Sequence, residues 1–159
     1  MELTIEQVLQ QGIAAQKEGK FEEAARLYRA ILQSQPLHPD ANHNLGVLAV
    51  SVNKADAALP LFKTALEANP RLEQFWLSYI DALIKEKQFD NAKKVLEQAK
   101  KQGVPRDKVD AIAAQITTTT QVKESKLVMQ TKSLTLSEKR KKLAEQKNQK
   151  KAKKQNLKA

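Results

Sequence analysis

His38-Pro39-Asp40-Ala41-Asn42-His43-Asn44-Leu45-Gly46, followed by Ala58, Phe62, Ala65-Leu66 and Pro70, is the stretch that decides the fold. Its features recur at a distance of 34 residues. Pro36 and Pro70 share that spacing, and Pro105 follows 35 later. The same shift aligns Ala24, Ala58 and Ala92, then Tyr28, Phe62 and Leu96, then Gly12 and Gly46, then Ala65 and Ala99. Phe21 and Phe89 fall two periods apart. Small residues align with small ones and large apolar residues with large ones. That is the signature of an internal structural repeat.

Within a unit the apolar residues follow the i, i+3, i+4, i+7 spacing of helices, as in Leu9, Ile13 and Gln16, then Ala24, Leu27, Tyr28, Ile31 and Leu32. Between these runs stands Gly19, which enters the left-handed backbone region without a Cβ penalty and so ends a helix. Asn53 and Lys87 occupy the equivalent positions; Asn tolerates that conformation next best and Lys less well. The second helix of each unit stops near Pro36, Pro70 or Pro105, because proline cannot extend the backbone ladder. Ala24, Ala58 and Ala92 mark the expected crossing of the two helices, with Gly12 and Gly46 as small spots on the first helix. The fold class read from this pattern is all-α.

These residues resemble the tetratricopeptide repeat (TPR), a helix–turn–helix unit of the same length. The resemblance spans about residues 3–104; the third unit carries it through Trp76, Phe89, Ala92 and Ala99, with Ile80 where the others have glycine. It implies a right-handed α-solenoid of three hairpins, at about 5–38, 39–72 and 73–105. A capping helix is expected at about 106–117, where Val109, Ile112, Ala113 and Ile116 share one face. The domain would then be 1–118 and the remainder, 119–159, a tail. By resemblance the first helix of each unit lines a concave peptide-binding groove. Its walls would be Leu9, Ile13 and Lys17; His43, Asn44, Val47 and Ser51; and Leu77, Ser78, Asp81 and Lys85. The second unit is most similar to the arrays that precede glycosyltransferase domains of the O-linked N-acetylglucosamine transferase type, where an asparagine at the position of Asn44 holds an extended peptide. Gln10 and Ser78 stand there in the neighbouring units, so no asparagine ladder runs through. The lysine clamp that some chaperone-binding TPRs use for a terminal carboxylate is not recognisable. Trp76 takes a core position.

Catalytic chemistry finds no purchase in this chain. There is no cysteine, which excludes a disulfide framework and a thiol nucleophile. His38 and His43 are five apart, off the i, i+4 spacing of a zinc pair, and both read as structural. The four glycines form no phosphate loop, and no serine has an elbow of glycines around it. The expectation is therefore a protein that is no enzyme, with no cofactor and no metal.

The formal charge of +10 lies in one place. Residues 1–122 carry 15 basic and 15 acidic side chains, whereas 123–159 carry 13 basic and 3 acidic. No apolar run is long enough for a membrane span, and the N-terminus is acidic where a signal peptide would be basic, so a cytoplasmic protein is expected. The run Thr117–Thr120 favours extended structure or a frayed helix end. From Ser137 and Glu138 onward the tail has good helix formers without an apolar stripe, and it is expected to be partly helical, mobile and detached from the domain. Lys139, Arg140, Lys141, Lys142, Lys147, Lys150, Lys151, Lys153 and Lys154 are the residues that would meet RNA, ribosome or DNA phosphates through counterion release. Two other readings of the tail stay open: a solvated segment with no dedicated partner, and an anionic membrane surface.

The function expected from the whole is a protein-interaction module that takes a peptide or helix of a partner in its groove. Two alternatives stand beside it. One is the substrate-positioning N-terminal module of a larger glycosyltransferase or sulfotransferase; the other is nucleic-acid or ribosome association through the tail. The oligomeric state is not readable from the sequence.

Overall fold

Thr4 opens the first helix with a capping box: its hydroxyl accepts from the Gln7 amide while the Gln7 side chain accepts from the Thr4 amide. In the computed structural model, which describes residues 3–156 and side chains 3–150, six helices of similar length then follow one another. They are α1 (Ile5–Lys17), α2 (Phe21–Ser34), α3 (Pro39–Ser51), α4 (Ala55–Ala68), α5 (Glu73–Lys85) and α6 (Phe89–Lys101). A longer helix, α7 (Arg106–Asn156), comes after them. No strand occurs among the described residues.

The turn inside each hairpin repeats atom for atom. Gly19, Asn53 and Lys87 take positive φ of 76°, 60° and 59°. The next amide in each case, from Lys20, Lys54 or Gln88, donates five residues back to Ala15, Ala49 or Leu83 at 2.8–2.9 Å. This is the Schellman closure of a helix end. The turn between hairpins is held differently. Asn42 Nδ2 donates to the Pro36 carbonyl at 2.9 Å, and one period later Trp76 Nε1 donates to the Pro70 carbonyl at 2.8 Å. Two unlike side chains thus satisfy the same otherwise orphaned backbone oxygen. His38 caps α3, its Nδ1 accepting from the Ala41 amide at 3.3 Å, and Pro39 occupies the first turn where a missing N–H does no harm.

The glycines on the first helices have a steric purpose that the alanine rows only partly suggest. A Cβ on Gly12 would stand 2.6 Å from the Tyr28 ring, and one on Gly46 would stand 2.7 Å from the Phe62 ring. Both rings are fully buried. In the third unit both members of the pair change together: Ile80 replaces glycine, Leu96 replaces the aromatic, and both are buried in one cluster. Ala24, Ala58, Ala65, Ala92 and Ala99 are wholly inaccessible, as close helix contact requires.

Separate apolar clusters succeed one another through the stack, from Leu9, Tyr28 and Ile31 through Ala58, Phe62 and Ala82 to Phe75, Ile80, Leu83 and Leu96. Each second helix packs on the first helix of the next unit, α2 on α3 and α4 on α5. In addition α1 touches α3 and α3 touches α5, while no comparable contact joins α2, α4 and α6. The row α1–α3–α5 is therefore the more closely spaced side, the inner side of a curved stack. The last cluster is closed by the start of α7: Val109 and Ile116 are fully buried in it, and Ile112 and Ala113 pack against it.

The chain divides into two compact units, Met1–Ile116 and Thr117–Ala159. The second corrects two expectations. Thr117–Thr120 does not interrupt the helix, and no new helix begins at Ser137; the helix runs through to Asn156. The β-branched penalty is small per residue, and threonine offsets part of it by bonding back to the preceding turn. Thr131 Oγ1 bonds the Leu127 and Val128 carbonyls and Thr135 Oγ1 those of Thr131 and Lys132, all at 2.9–3.1 Å.

Candidate functional site

The inner row presents four columns of residues at the repeat spacing. Lys17, Ser51 and Lys85 are exposed along one edge. Ile13, Val47 and Asp81 come next, the first two half-buried and the third open. Gln10, Asn44 and Ser78 form another column, exposed at Gln10 and half-buried at the others. The column Leu9, His43 and Leu77 differs from expectation. Leu9 is 4% exposed and His43 8% exposed, so neither is an open groove wall. Leu9 belongs to the first core cluster, and His43 is covered where α3 meets α5. Leu77 alone remains half-buried at the surface of its cluster.

His43 is the most constrained polar group of this row. Its ring stacks on Phe75 with centroids 4.6 Å apart and is tilted against Phe62 at 5.6 Å. Nε2 meets Ser78 Oγ at 2.9 Å, across the two units, and Nδ1 meets Asn44 Oδ1 at 3.3 Å. An amide oxygen only accepts, so the neutral ring carries its proton on Nδ1 and accepts the serine hydroxyl at Nε2. Burial lowers the imidazole below its ordinary pKa; the Asn44 bond and the Asp40 charge oppose this more weakly. The ring is therefore neutral near pH 7 and ties repeat two to repeat three. Asn44 is drawn into the same cluster, and it also touches the buried Tyr28 phenol, whose pKa burial raises.

Two shallow hollows open on the row. One, of about 300 Å3, is lined by Val47, Val50, Ser51, Phe62, Gln74, Ser78, Asp81 and Lys85. Five of these were expected in the groove, namely Val47, Ser51, Ser78, Asp81 and Lys85; Val50, Phe62 and Gln74 complete it. The second, of about 360 Å3, is lined by Leu77, Asp81, Ile84, Lys108, Ile112 and Gln115. Its α7 wall, Lys108 to Gln115, belongs to the segment that the sequence predicts as a cap. Charges at the rim neutralise one another: Lys85 pairs with Asp81, and Lys108 pairs with Glu73. Ile13 and Lys17 line neither hollow; Ile13 packs on the first core cluster and Lys17 is exposed in the last turn of α1. One internal bond escaped sequence reasoning, Tyr28 Oη to Gln16 Oε1 at 2.8 Å, because Gln16 sits in an apolar register where its amide carries no signal of a partner.

Two tetratricopeptide repeat family profiles match, one at residues 9–51 and the other at 49–116. The chain is a tetratricopeptide-repeat protein. The TPR unit also finds many solved structures of the same architecture. The Sgt2 TPR domain from Aspergillus fumigatus aligns at TM-score 0.65 with 16% identity, over 74% of this chain and 79% of that one. A MamA structure (MSR-1) aligns at TM-score 0.65 with 26% identity, over 77% and 71%. The first TPR of Spaghetti (RPAP3), solved bound to the HSP90 peptide SRMEEVD, aligns at TM-score 0.64 with 18% identity, over 70% and 89%. A search of curated proteins by sequence returned no match.

Outside the TPR unit, Lys139, Arg140, Lys141, Lys142, Lys147 and Lys150 are exposed on α7. The side chains of Lys151, Lys153 and Lys154 lie outside those described. Among the described residues no group of three or more His, Asp or Glu side chains could hold a metal ion, and no helix is long and apolar enough to cross a membrane.

Proposed function

We propose that this TPR domain is a non-enzymatic interaction module that receives a short peptide or helix of a partner along the inner row of α1, α3 and α5. The observation that carries this reading is the pair of adjoining hollows, which share Asp81 and have mostly apolar floors. Apolar floors with polar edges take alternate side chains of an extended peptide, or one face of a helix. The RPAP3 neighbour, bound to a peptide, supports a peptide ligand in kind. It does not supply the chemistry. Lys85 and Lys108 already face carboxylates here, which leaves little positive potential for a terminal carboxylate. The ligand suited to these hollows is uncharged at its anchor positions, with aliphatic or aromatic side chains.

Peptides selected on the immobilised full chain test this. They should bind with micromolar dissociation constants, as shallow grooves do, near −8 kcal/mol. Gln74→Arg with Asp81→Arg, both at exposed positions, should weaken them about tenfold or more while lowering the melting temperature only slightly, since the exposed Asp81–Lys85 pair contributes about 0.3–0.5 kcal/mol. Unchanged binding would place the ligand elsewhere.

A further inference from the structure

From residue 121 to 150 every side chain of α7 is exposed, and the large apolar ones are among them. Val122, Met129, Leu136 and Leu143 recur every seven residues and are 49–74% exposed. On a helix of 3.6 residues per turn they form one column that drifts only ~20° per heptad. Lys132, Lys139, Arg140, Lys147 and Lys150 fall within an arc of about 100° around it. Glu124, Glu138 and Glu145 fall on the opposite half, beside Lys123, Lys141 and Lys142. The structure brings the two kinds together: Met129, Lys132, Ser133, Leu136, Ser137 and Arg140 line one shallow hollow. Among the described residues none of the five cations of this face pairs with a carboxylate.

We propose that this face docks a helix of another protein, one that carries its own apolar column flanked by carboxylates. A heptad column with charged flanks is the geometry of a helix–helix seam, in which lysine and arginine stems cover apolar surface while their heads pair outward. Helices without tertiary support are marginal in water, so a partner helix would also supply the packing that these thirty residues lack. The charge selects the occupant. A second copy of this chain set face to face would oppose five cations to five, and its other half, where Leu127 and Leu134 stand beside the three glutamates, carries Lys123, Lys141 and Lys142 as well. Phosphates of a nucleic acid would use the cations but leave the column in water. A membrane surface calls for a broad apolar face, and this one is a single residue wide.

The probe is a fluorescein-labelled peptide of about four heptads with Leu along its seam and Glu at the flanks, titrated into the full chain by anisotropy. It should bind in the micromolar range, and more weakly as salt rises. A peptide of equal charge with Ser along the seam should bind at least about tenfold more weakly, because charge alone does not fill the column. Met129→Gln, Leu136→Gln and Leu143→Gln together, which keep helix propensity, should cost a similar factor, as should Lys132→Glu with Lys139→Glu and Arg140→Glu. Far-ultraviolet dichroism checks that these chains remain helical. Equal affinity for the Leu and Ser peptides would overturn the proposal. So would oligouridine or phosphatidylserine vesicles binding more tightly than the Leu peptide, with an affinity that the Gln substitutions leave unchanged.

Discussion

Gly46 and Phe62 show how much a single methyl group decides. Gly46→Ala would add a favourable ~1 kcal/mol of helix propensity. It would also force a Cβ to within 2.7 Å of a ring that is buried on every side. Overpacking of this kind costs about 1–3 kcal/mol, so Gly46→Ala should lower the melting temperature, and adding Phe62→Leu should restore part of the loss. A thermal-melt double-mutant cycle measures both. Trp76→Phe keeps most of the buried area but leaves the Pro70 carbonyl without its donor, a loss of about 0.5–1.5 kcal/mol in urea denaturation. His43 gives the pH dependence. Its folded pKa lies below the ordinary value of about 6.5, so on acidification the unfolded chain takes up the proton first. Stability is full above that value and is lost as pH falls through and below it. Between pH 7.5 and 5, the fall in melting temperature should be larger for the natural chain than for His43→Gln. The sequence marks Trp76 because tryptophan is rare, and Gly12 and Gly46 because they recur in register. It did not mark Gln16 or the equivalence of Asn42 with Trp76, since what makes them alike is a shared acceptor and not a shared chemistry.

The elements were legible where backbone geometry demands a particular residue. The hairpin turn needs a left-handed backbone at its end, and Gly19 and Asn53 announce it. Lys87 follows from register, and its φ of 59° shows the position being held by its surroundings. Lys87→Gly removes the Cβ conflict and should stabilise the domain by about 0.5–1 kcal/mol after the greater entropy of the unfolded chain is allowed for, measurable by urea denaturation. Helix faces were less legible. Leu9, Ile13 and Lys17 share one spacing, yet the contact between α1 and α3 puts the first in the core and leaves the last in water. A 3.6-residue period identifies an apolar stripe without saying which neighbour covers it. The threonine run leaves the helix unbroken for a related reason: propensity is a sum of small terms, and four threonines are too few to stop a helix.

For the TPR unit as a whole, the seventh helix decides where the stack ends. Val109 and Ile116 each lie at 0% exposure against the cluster of Ile80, Leu83 and Leu96. Burying two such side chains contributes roughly 3–6 kcal/mol, a large part of the stability of a small domain. A chain ending at residue 105 should therefore unfold at much lower urea concentration than one ending at residue 120, which keeps the covering turn. The charge asymmetry between residues 1–122 and 123–159 made the second unit visible from the sequence. Its apolar column was not, because the column begins at Val122, upstream of the lysines that draw the eye. The paired exchange of Gly46 with Phe62 for Ile80 with Leu96 carries a further meaning for how such arrays can evolve. The units are not interchangeable cassettes below the level of a complete hairpin. A crossover inside a hairpin could marry isoleucine to phenylalanine and jam the seam, or glycine to leucine and leave a hole; one at Pro36 or Pro70 would pass each matched couple on intact.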